Sequence, residues 1–249
     1  MTTTEAVDLG FAATDTVIVT GAGSGIGRSV ARLGLGLGLR VSAWDLHAEG
    51  LASLAGEVDA GGRLHTHVGD IADEATMAAG FAAVREEFGN PAFLVNNAGP
   101  ASSVPIGFDD AMRISVGGAR TMTEAWSAAE LAPHAAMVTT ASVAGNRIGT
   151  ESDWYSAAKA ALTGYVRHLA AHRANAFRSN AVAPGMTDTP RLAGFAETET
   201  GRRILGRIPL GRMGTPDELA WPILFLLSPL AAYVNGAVLV VDGGWTVTQ

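Results

Sequence analysis

A short β-branched run, Val17-Ile18-Val19-Thr20, is followed at once by Gly21-Ala22-Gly23-Ser24-Gly25-Ile26-Gly27 and then by a helical pattern from Arg28. Strand, glycine turn and helix in that order form the context that a dinucleotide-binding loop requires. The physical need is close approach. Glycines let the backbone reach a pyrophosphate, and the N-terminus of the helix supplies N–H groups and the positive end of its dipole. The spacing, Gly21, Gly25, Gly27, departs from the usual GxGxxG. A glycine turn without a ligand is the competing reading, so the rest of the chain has to decide.

The first helix carries Leu33-Gly34-Leu35-Gly36-Leu37-Gly38. Each interior glycine costs about 1 kcal/mol relative to alanine. Gly38 suits a C-cap, and Gly34 and Gly36 imply close packing of helix on sheet. A second strand, residues 41–45, ends at Asp45, 18 residues past Gly27. A carboxylate there accepts hydrogen bonds from the adenosine ribose hydroxyls of NAD. It would repel the 2′-phosphate of NADP, and neither Ala22 nor Leu46 offers a compensating cation. The alternative is that Asp45 caps a helix. A helix over 49–57 and a strand over 63–68 lead to Asp70-Ile71, placed for adenine beyond the carboxyl end of a strand; capping is again the alternative for Asp70. A helix over 72–88 and a strand over 92–95 run into Asn96-Asn97-Ala98-Gly99. Two amides, a small residue and a glycine suit a cofactor lying against backbone, with one asparagine bracing neighbouring strands and the other facing the cofactor.

Residues 106–129 read as mostly helical. Residues 137–141 form an apolar run that reads as a buried strand ending at Ser142. A loop follows, and Tyr155-Ser156-Ala157-Ala158-Lys159 opens an alanine-rich helix. Tyr155 and Lys159 are four apart, so they share a helical face. A further strand, 180–183, turns at Pro184-Gly185 and continues through Met186, Thr187 and Thr189. Residues 190–211, with four interruptions at Gly194, Gly201, Gly206 and Pro209, read as a partly helical, mobile lid over substrate. Thr215-Pro216-Asp217-Glu218 is a helix start with a threonine cap, proline at N1 and acids in the first turn, and 237–241 is the last strand. Strands alternate with helices seven times. That pattern specifies an α/β fold: a single doubly wound, Rossmann-like domain over 1–249, with a parallel sheet of about seven strands and helices on both faces. Residues 1–13 read as an N-terminal tail.

Composition bounds the function classes. At 48% hydrophobic and 16% charged, the chain can bury a large core. Net charge is −7, with no cluster of Lys or Arg, which argues against nucleic acid. Lys159 is the only lysine. There is no cysteine, hence no thiolate metal site, and no metal is expected. Residues 1–15 contain Glu5, Asp8 and Asp15 and no apolar run, unlike a signal peptide. The apolar stretch 219–241 is broken by Pro222, Pro229, Asn235 and Gly236, so no membrane span is expected. The expectation is a soluble cytoplasmic protein.

Taken together, Thr20 to Gly27, Asp45, Asp70, Asn96-Asn97-Ala98-Gly99, Ser142, Tyr155 to Lys159, Pro184-Gly185 and Asp242-Gly243-Gly244 resemble the short-chain dehydrogenase/reductase family in its short single-domain branch, over residues 14–245. The 13-residue step from Ser142 to Tyr155 belongs to the match. The resemblance implies a nicotinamide-dependent oxidoreductase for an alcohol or carbonyl. Tyr155 would be the general acid/base. A free phenol has a pKa near 10, and Lys159 and the oxidised nicotinamide ring would lower it. Lys159 would also bond the nicotinamide ribose, and Ser142 would hold the substrate oxygen. The resemblance carries cofactor contacts onto Gly21, Ser24, Gly25, Ile26, Gly27, Asp45, Leu46, Asp70, Ile71, Asn97, Ala98, Gly99, Tyr155, Lys159, Pro184, Gly185, Thr187 and Thr189. The family's fourth catalytic residue is an asparagine; the matching position here is Ser115, which is shorter but still able to hold a relay water.

Family pockets form from residues 100–106, 143–154 and 186–205. These offer Val104, Ile106, Ile148, Trp154, Met186, Leu192 and Phe195, a mainly apolar wall for a secondary alcohol or ketone. Arg147, the cation of the middle segment, reads as an exposed loop residue, with a grip on an anionic substrate as the alternative. The family also implies a homotetramer, or a homodimer, through helices near 106–129 and 153–173 and the C-terminal region. The leading expectation is hydride transfer between NAD(H) and a secondary alcohol/ketone substrate. A 3-oxoacyl reductase using NADPH is the alternative within enzymes, and Asp45 argues against it. A non-catalytic cofactor-sensing protein is the alternative outside enzymes, supported by Ser115 alone.

Overall fold

Val17 and Val19 enter one hydrophobic cluster and Ile18 the other; Phe93 and Val95 separate from Leu94, and Ala136 and Val138 from Met137, in the same way. This period of two lets one set of strands serve two cores, which is why the central strands read as unbroken apolar runs. The computed structural model describes residues 8–148 and 150–248. Its strands are β1 (Thr16–Thr20), β2 (Arg40–Asp45), β3 (Leu64–Val68), β4 (Phe93–Asn96), β5 (Ala136–Thr140), β6 (Arg178–Pro184) and β7 (Val238–Val241). All pair in parallel, in the order β3-β2-β1-β4-β5-β6-β7.

Helices α1 (Gly25–Gly36), α2 (Ala48–Glu57) and α8 (Pro216–Leu227) cover one face. Helices α3 (Glu74–Phe88), α5 (Gly118–Ser127) and α6 (Asp153–His172) cover the other. The strand order reverses between β1 and β4. In open parallel sheets, ligands bind at that reversal, beyond the carboxyl ends of the strands. The glycine turn after β1, Asp45 at the end of β2, Asn96-Asn97 at the end of β4 and Ser142 after β5 all lie at that edge.

Several boundaries differ from the sequence reading. Helix α3 begins at Glu74 because the Asp73 carboxylate caps it, accepting from the Thr76 N–H at 2.8 Å. The span 106–129 is three pieces: α4 (Phe108–Met112), a π-turn over Arg113–Gly117, and α5. The supposed tail is partly core. Leu9 is buried, and Phe11 meets Phe93 edge-on at 5.4 Å; residues 1–7 lie outside the described residues. The span 190–211 holds two 3₁₀ turns (Pro190–Leu192 and Phe195–Glu197) and α7 (Glu199–Leu205). Gly38 does end α1, with φ +91. Gly34 and Gly36 do not serve close packing. A Cβ at Gly34 would meet its nearest neighbour at an ordinary 3.5 Å, and one at Gly36 would meet nothing within 4 Å. Among the described residues, no helix is long and apolar enough to cross a membrane.

Candidate active site

The turn after β1 is built for an anion. A Cβ at Gly27 would lie 2.2 Å from the Gly21 carbonyl oxygen, and Gly21 and Gly25 have φ of +68 and +53. Only glycine satisfies both demands. At the N-terminus of α1, Ser24 makes no side-chain cap and the first turn holds no acid. The helix therefore keeps its free N–H groups and its positive dipole end, the condition for holding a pyrophosphate. The residues present fit a dinucleotide. Ile26 packs from this turn against the core beneath.

Asp45 does two things at once. Its Oδ2 accepts from the Gly23 N–H at 2.8 Å and its Oδ1 from the His47 N–H at 2.9 Å. The carboxylate thus braces the glycine turn and its own loop, and each oxygen retains a lone pair for a ribose hydroxyl. Arg28, which bonds the same glycine turn, is engaged: it pairs with Glu57 at 2.5 Å and bonds Ser53 and the carbonyls of Gly23 and Gly50. Leu46 is exposed beside it. Asp70 turns its carboxylate onto the Ala72 N–H at 2.8 Å, closing the turn before Asp73, and caps no helix itself. Ile71 is buried under α5, leaving only its backbone for a ligand.

Both asparagines brace. Asn96 donates to Thr123 Oγ1 at 3.0 Å and to the Ala119 carbonyl at 3.4 Å, tying β4 to α5. Asn97 donates to the carbonyls of Thr20 and Gly21, tying β4 to the glycine turn. Bracing is thus shared by both side chains rather than confined to one. Thr20, which the sequence reading passed over as a binder, accepts from the N–H groups of Asn97 and Ala98 at 2.9 and 3.0 Å. It fixes the Asn-Asn-Ala-Gly backbone beside the glycine turn.

Ser142, Tyr155 and Lys159 do come together. Ser142 ends the extended run of β5 and caps a 3₁₀ turn, accepting from the Ala144 N–H. Helix α6 starts at Ser152, whose hydroxyl accepts from the Tyr155 N–H at 3.3 Å. That cap puts Tyr155 in the first turn and Lys159 one turn on. Gly145 joins the two elements: a Cβ there would lie 2.3 Å from the Ala160 nitrogen and 2.4 Å from the Lys159 carbonyl carbon. Backbone rests directly on backbone, and Ser142 is thereby brought to Tyr155 and Lys159. Lys159 Nζ donates to the Thr140 carbonyl at 2.8 Å and lies 5.7 Å from the Tyr155 ring centre. Buried Trp154 meets Tyr155 edge-on at 5.6 Å, so it supports the tyrosine from the interior and offers substrate no wall.

Electrostatics differ from expectation. Burial raises the Tyr155 phenol above its usual value, against smaller downward pulls from Ser142 and the Arg191 cation. Burial also lowers Lys159, to about 8, with Arg191 adding to the fall. Both side chains are half-buried, and the Lys159 ammonium is held on the Thr140 carbonyl. In the free protein, then, burial opposes ionisation of both groups, and the expected depression of the phenol is not present. Ser115 is buried inside the π-turn, and a Cβ on Gly99 would stand 4.0 Å from its Oγ. Among the described residues, its hydroxyl has no hydrogen-bond partner.

β6 ends at Pro184, and Gly185 just beyond it lies so close to Asp242 that a Cβ would approach to 2.7 Å. Thr187 is buried. Thr189 leans on Gly25, whose Cβ would lie 3.1 Å from the threonine methyl. Arg191, absent from the sequence reading, reaches back to the Gly99 carbonyl at 2.8 Å. Val104 is exposed, and Ile148, Met186 and Phe195 are partly buried. Arg147 lies elsewhere, lining a small cavity with Arg167, Val238 and Val240. A larger cavity of about 630 Å³, bounded by Leu192, Glu197, Leu205 and Arg212, lies under residues 190–211, with none of the trio in its lining.

Comparison with known proteins agrees with this geometry. A family profile described as Enoyl-(Acyl carrier protein) reductase matches residues 21–246. D-threitol dehydrogenase of Mycolicibacterium smegmatis is 36% identical, over 92% of each chain. A solved short-chain dehydrogenase/reductase of the glucose/ribitol dehydrogenase kind from Brucella melitensis superposes with TM-score 0.87 at 30% identity, over 93% of this chain and 96% of that one. Two other solved neighbours were crystallised with different dinucleotides. A Burkholderia cenocepacia short chain dehydrogenase holds NADP (TM-score 0.84, 27% identity, 93% and 98% covered). A Brucella melitensis 3-ketoacyl-(acyl-carrier-protein) reductase holds NADH (TM-score 0.82, 30% identity, 93% and 98% covered).

Proposed function

The chain belongs to the short-chain dehydrogenase/reductase family, and on that premise we propose that it transfers a hydride between NAD(H) and a secondary alcohol or ketone, with Tyr155 as general acid/base. The observation that carries the proposal is the direct backbone contact at Gly145, which brings Ser142 on one element to Tyr155 and Lys159 on another. When bound, the nicotinamide supplies the hydride acceptor or donor. The protein's own residues do the rest. Ser142 donates to the substrate oxygen and steadies negative charge developing there. Tyr155 takes the carbinol proton during oxidation and returns it during reduction. Lys159, pinned to the Thr140 carbonyl, is still mostly protonated at neutral pH with a pKa of about 8, so it favours the phenolate. Ser115 holds a water that passes the proton outward.

Asp45 supports NAD over NADP. Its carboxylate stands at the end of β2 against the glycine turn, and the adjacent Arg28 is neutralised by Glu57. A 2′-phosphate would meet negative charge without a free cation. The contacts of Gly21 to Gly27, Asn97 to Gly99, Pro184, Gly185, Thr187 and Thr189 complete the cofactor cleft. Exposed Trp221, Phe225, Leu230 and Leu239 in the C-terminal region support self-association into a dimer or tetramer. A cysteine-free composition suits the cytoplasm.

The test is a panel of secondary alcohols offered with NAD and with NADP, read by absorbance of the reduced nicotinamide. NAD should be preferred at least tenfold in kcat/KM. A preference for NADP would overturn the role given to Asp45 and favour the 3-oxoacyl reductase reading. Binding of cofactor with no turnover of any alcohol or ketone would favour the sensor.

A further inference from the structure

Arg191 stands where the proposed mechanism gives it nothing to do. It belongs to the Pro190–Leu192 turn that follows β6, and its Nη2 crosses to the Gly99 carbonyl at 2.8 Å, a contact between residues 92 apart in sequence. Thr189, two residues earlier, rests on Gly25. The segment is thus laid across the cleft from β6 towards β1 and β4, with the guanidinium at its reacting end. Gly99 in turn faces Ser115.

The charge balance at this place is unusual for the molecule. The chain as a whole carries −7, yet among the described residues Arg191 takes part in no ion pair. One of its five N–H donors is used, on a neutral carbonyl. Its charge reaches both Tyr155 and Lys159, and no carboxylate is felt by either of them. Two cations, one of them the chain's only lysine, therefore share a cleft, and among the described residues neither takes part in an ion pair. An unneutralised guanidinium with four free donors in a fixed fork matches a planar or tetrahedral oxyanion.

We propose that Arg191 anchors the substrate by an oxyanion, so that the secondary alcohol taken by this site carries a carboxylate, sulfonate or phosphate. This rests on the function proposed above. The guanidinium leaves or shares the Gly99 carbonyl and closes on the substrate's anionic end, while the carbinol stays between Ser142 and Tyr155. No bond is made or broken in the process; the arginine positions and selects.

The experiment uses straight-chain secondary hydroxy acids, each paired with its own uncharged amide, and the wild-type, Arg191→Met and Arg191→Lys enzymes, with NAD. Losing a charge-assisted hydrogen bond raises KM by about 10- to 100-fold. Wild type should prefer the acid of each pair. Arg191→Met should raise KM for the acid by that factor and leave KM for the amide and the affinity for NAD within about twofold, and Arg191→Lys should restore part of the acid preference. A merely structural strap would affect acid and amide alike. Equal losses for acid and amide, weaker NAD binding in Arg191→Met (which would place the arginine on the cofactor's pyrophosphate), or a wild type that prefers the amide would each overturn the proposal. The amide arm keeps the two readings apart. Turnover of amides but not of acids defeats the anchor alone, whereas no turnover of either with NAD or NADP defeats the proposed hydride transfer.

Discussion

Adding one methyl group at Gly145 should separate catalysis from folding. The alanine Cβ would start 2.3 Å from the Ala160 nitrogen and 2.4 Å from the Lys159 carbonyl carbon. An ordinary contact needs about 3.4 Å or more, so the turn that carries Ser142 must move from α6 by about 1 Å. Both obstructing atoms are helix backbone, which cannot rotate away. A displacement of that size at reacting groups costs about 10²-fold in rate, or about 2.7 kcal/mol of transition-state stabilisation. Overpacking should add a stability loss of about 1–3 kcal/mol. The glycine turn at Gly21 to Gly27 lies on other strands and should be untouched. The assays are steady-state turnover of a responsive alcohol, NAD binding by fluorescence titration, and urea denaturation of the same preparation. The expected result is a kcat about 100-fold lower, NAD affinity within about twofold, and a protein that still unfolds cooperatively. If Gly145→Ala turned over within threefold of wild type, the contact would not be what aligns Ser142 with Tyr155 and Lys159.

Four further outcomes are expected. Because Lys159 is the only lysine and its pKa falls to about 8 through burial, reaction of its amine with an acylating reagent should rise through pH 8, well below the ordinary lysine value of about 10.4; peptide mapping separates it from the N-terminal amine, and a midpoint above 10 would contradict the burial. The same lowered pKa means that the protonated amine penalises folding below pH 8 and that this penalty is relieved as pH rises towards 10.5. Comparing Lys159→Met with wild type in denaturant titrations across that window isolates the effect. Gly34→Ala should stabilise the protein by up to about 1 kcal/mol, since helix propensity improves and the new methyl meets ordinary contacts; a destabilised variant would show that the glycine has a packing role. Ser115→Asn should keep or improve turnover and Ser115→Ala should lower it about tenfold if the hydroxyl holds a relay water; an alanine variant with the wild-type pH–rate profile would remove Ser115 from the proton path.

Local spacing carried most of what could be read in advance. The glycine turn needs only neighbours in sequence, and Tyr155 and Lys159 share a face through helical period alone. The alternation of strand and helix points to a parallel sheet, because both faces of the central strands are apolar. What escaped depends on contacts between distant segments. Gly145 looks like any loop glycine until α6 is packed on it. Arg191 looks like a surface cation until its segment crosses to Gly99. Trp154 lies in a pocket-forming stretch, but one residue before Tyr155 a helix has turned about 100° and the indole is buried. The π-turn at Arg113–Gly117 has no sequence signal, though it is where Ser115 sits. The raised pKa of Tyr155 likewise follows from burial, which no spacing reports.

The central claim is hydride transfer with Tyr155 as acid/base, and Tyr155→Phe tests it most directly. The variant removes one oxygen and keeps the ring that packs on Trp154, so fold and cofactor cleft are preserved. NAD-dependent oxidation of a responsive secondary alcohol should fall by at least about 10³-fold, while NAD binding by fluorescence titration stays within twofold of wild type. Retention of more than a tenth of the wild-type rate with NAD still bound would contradict the account.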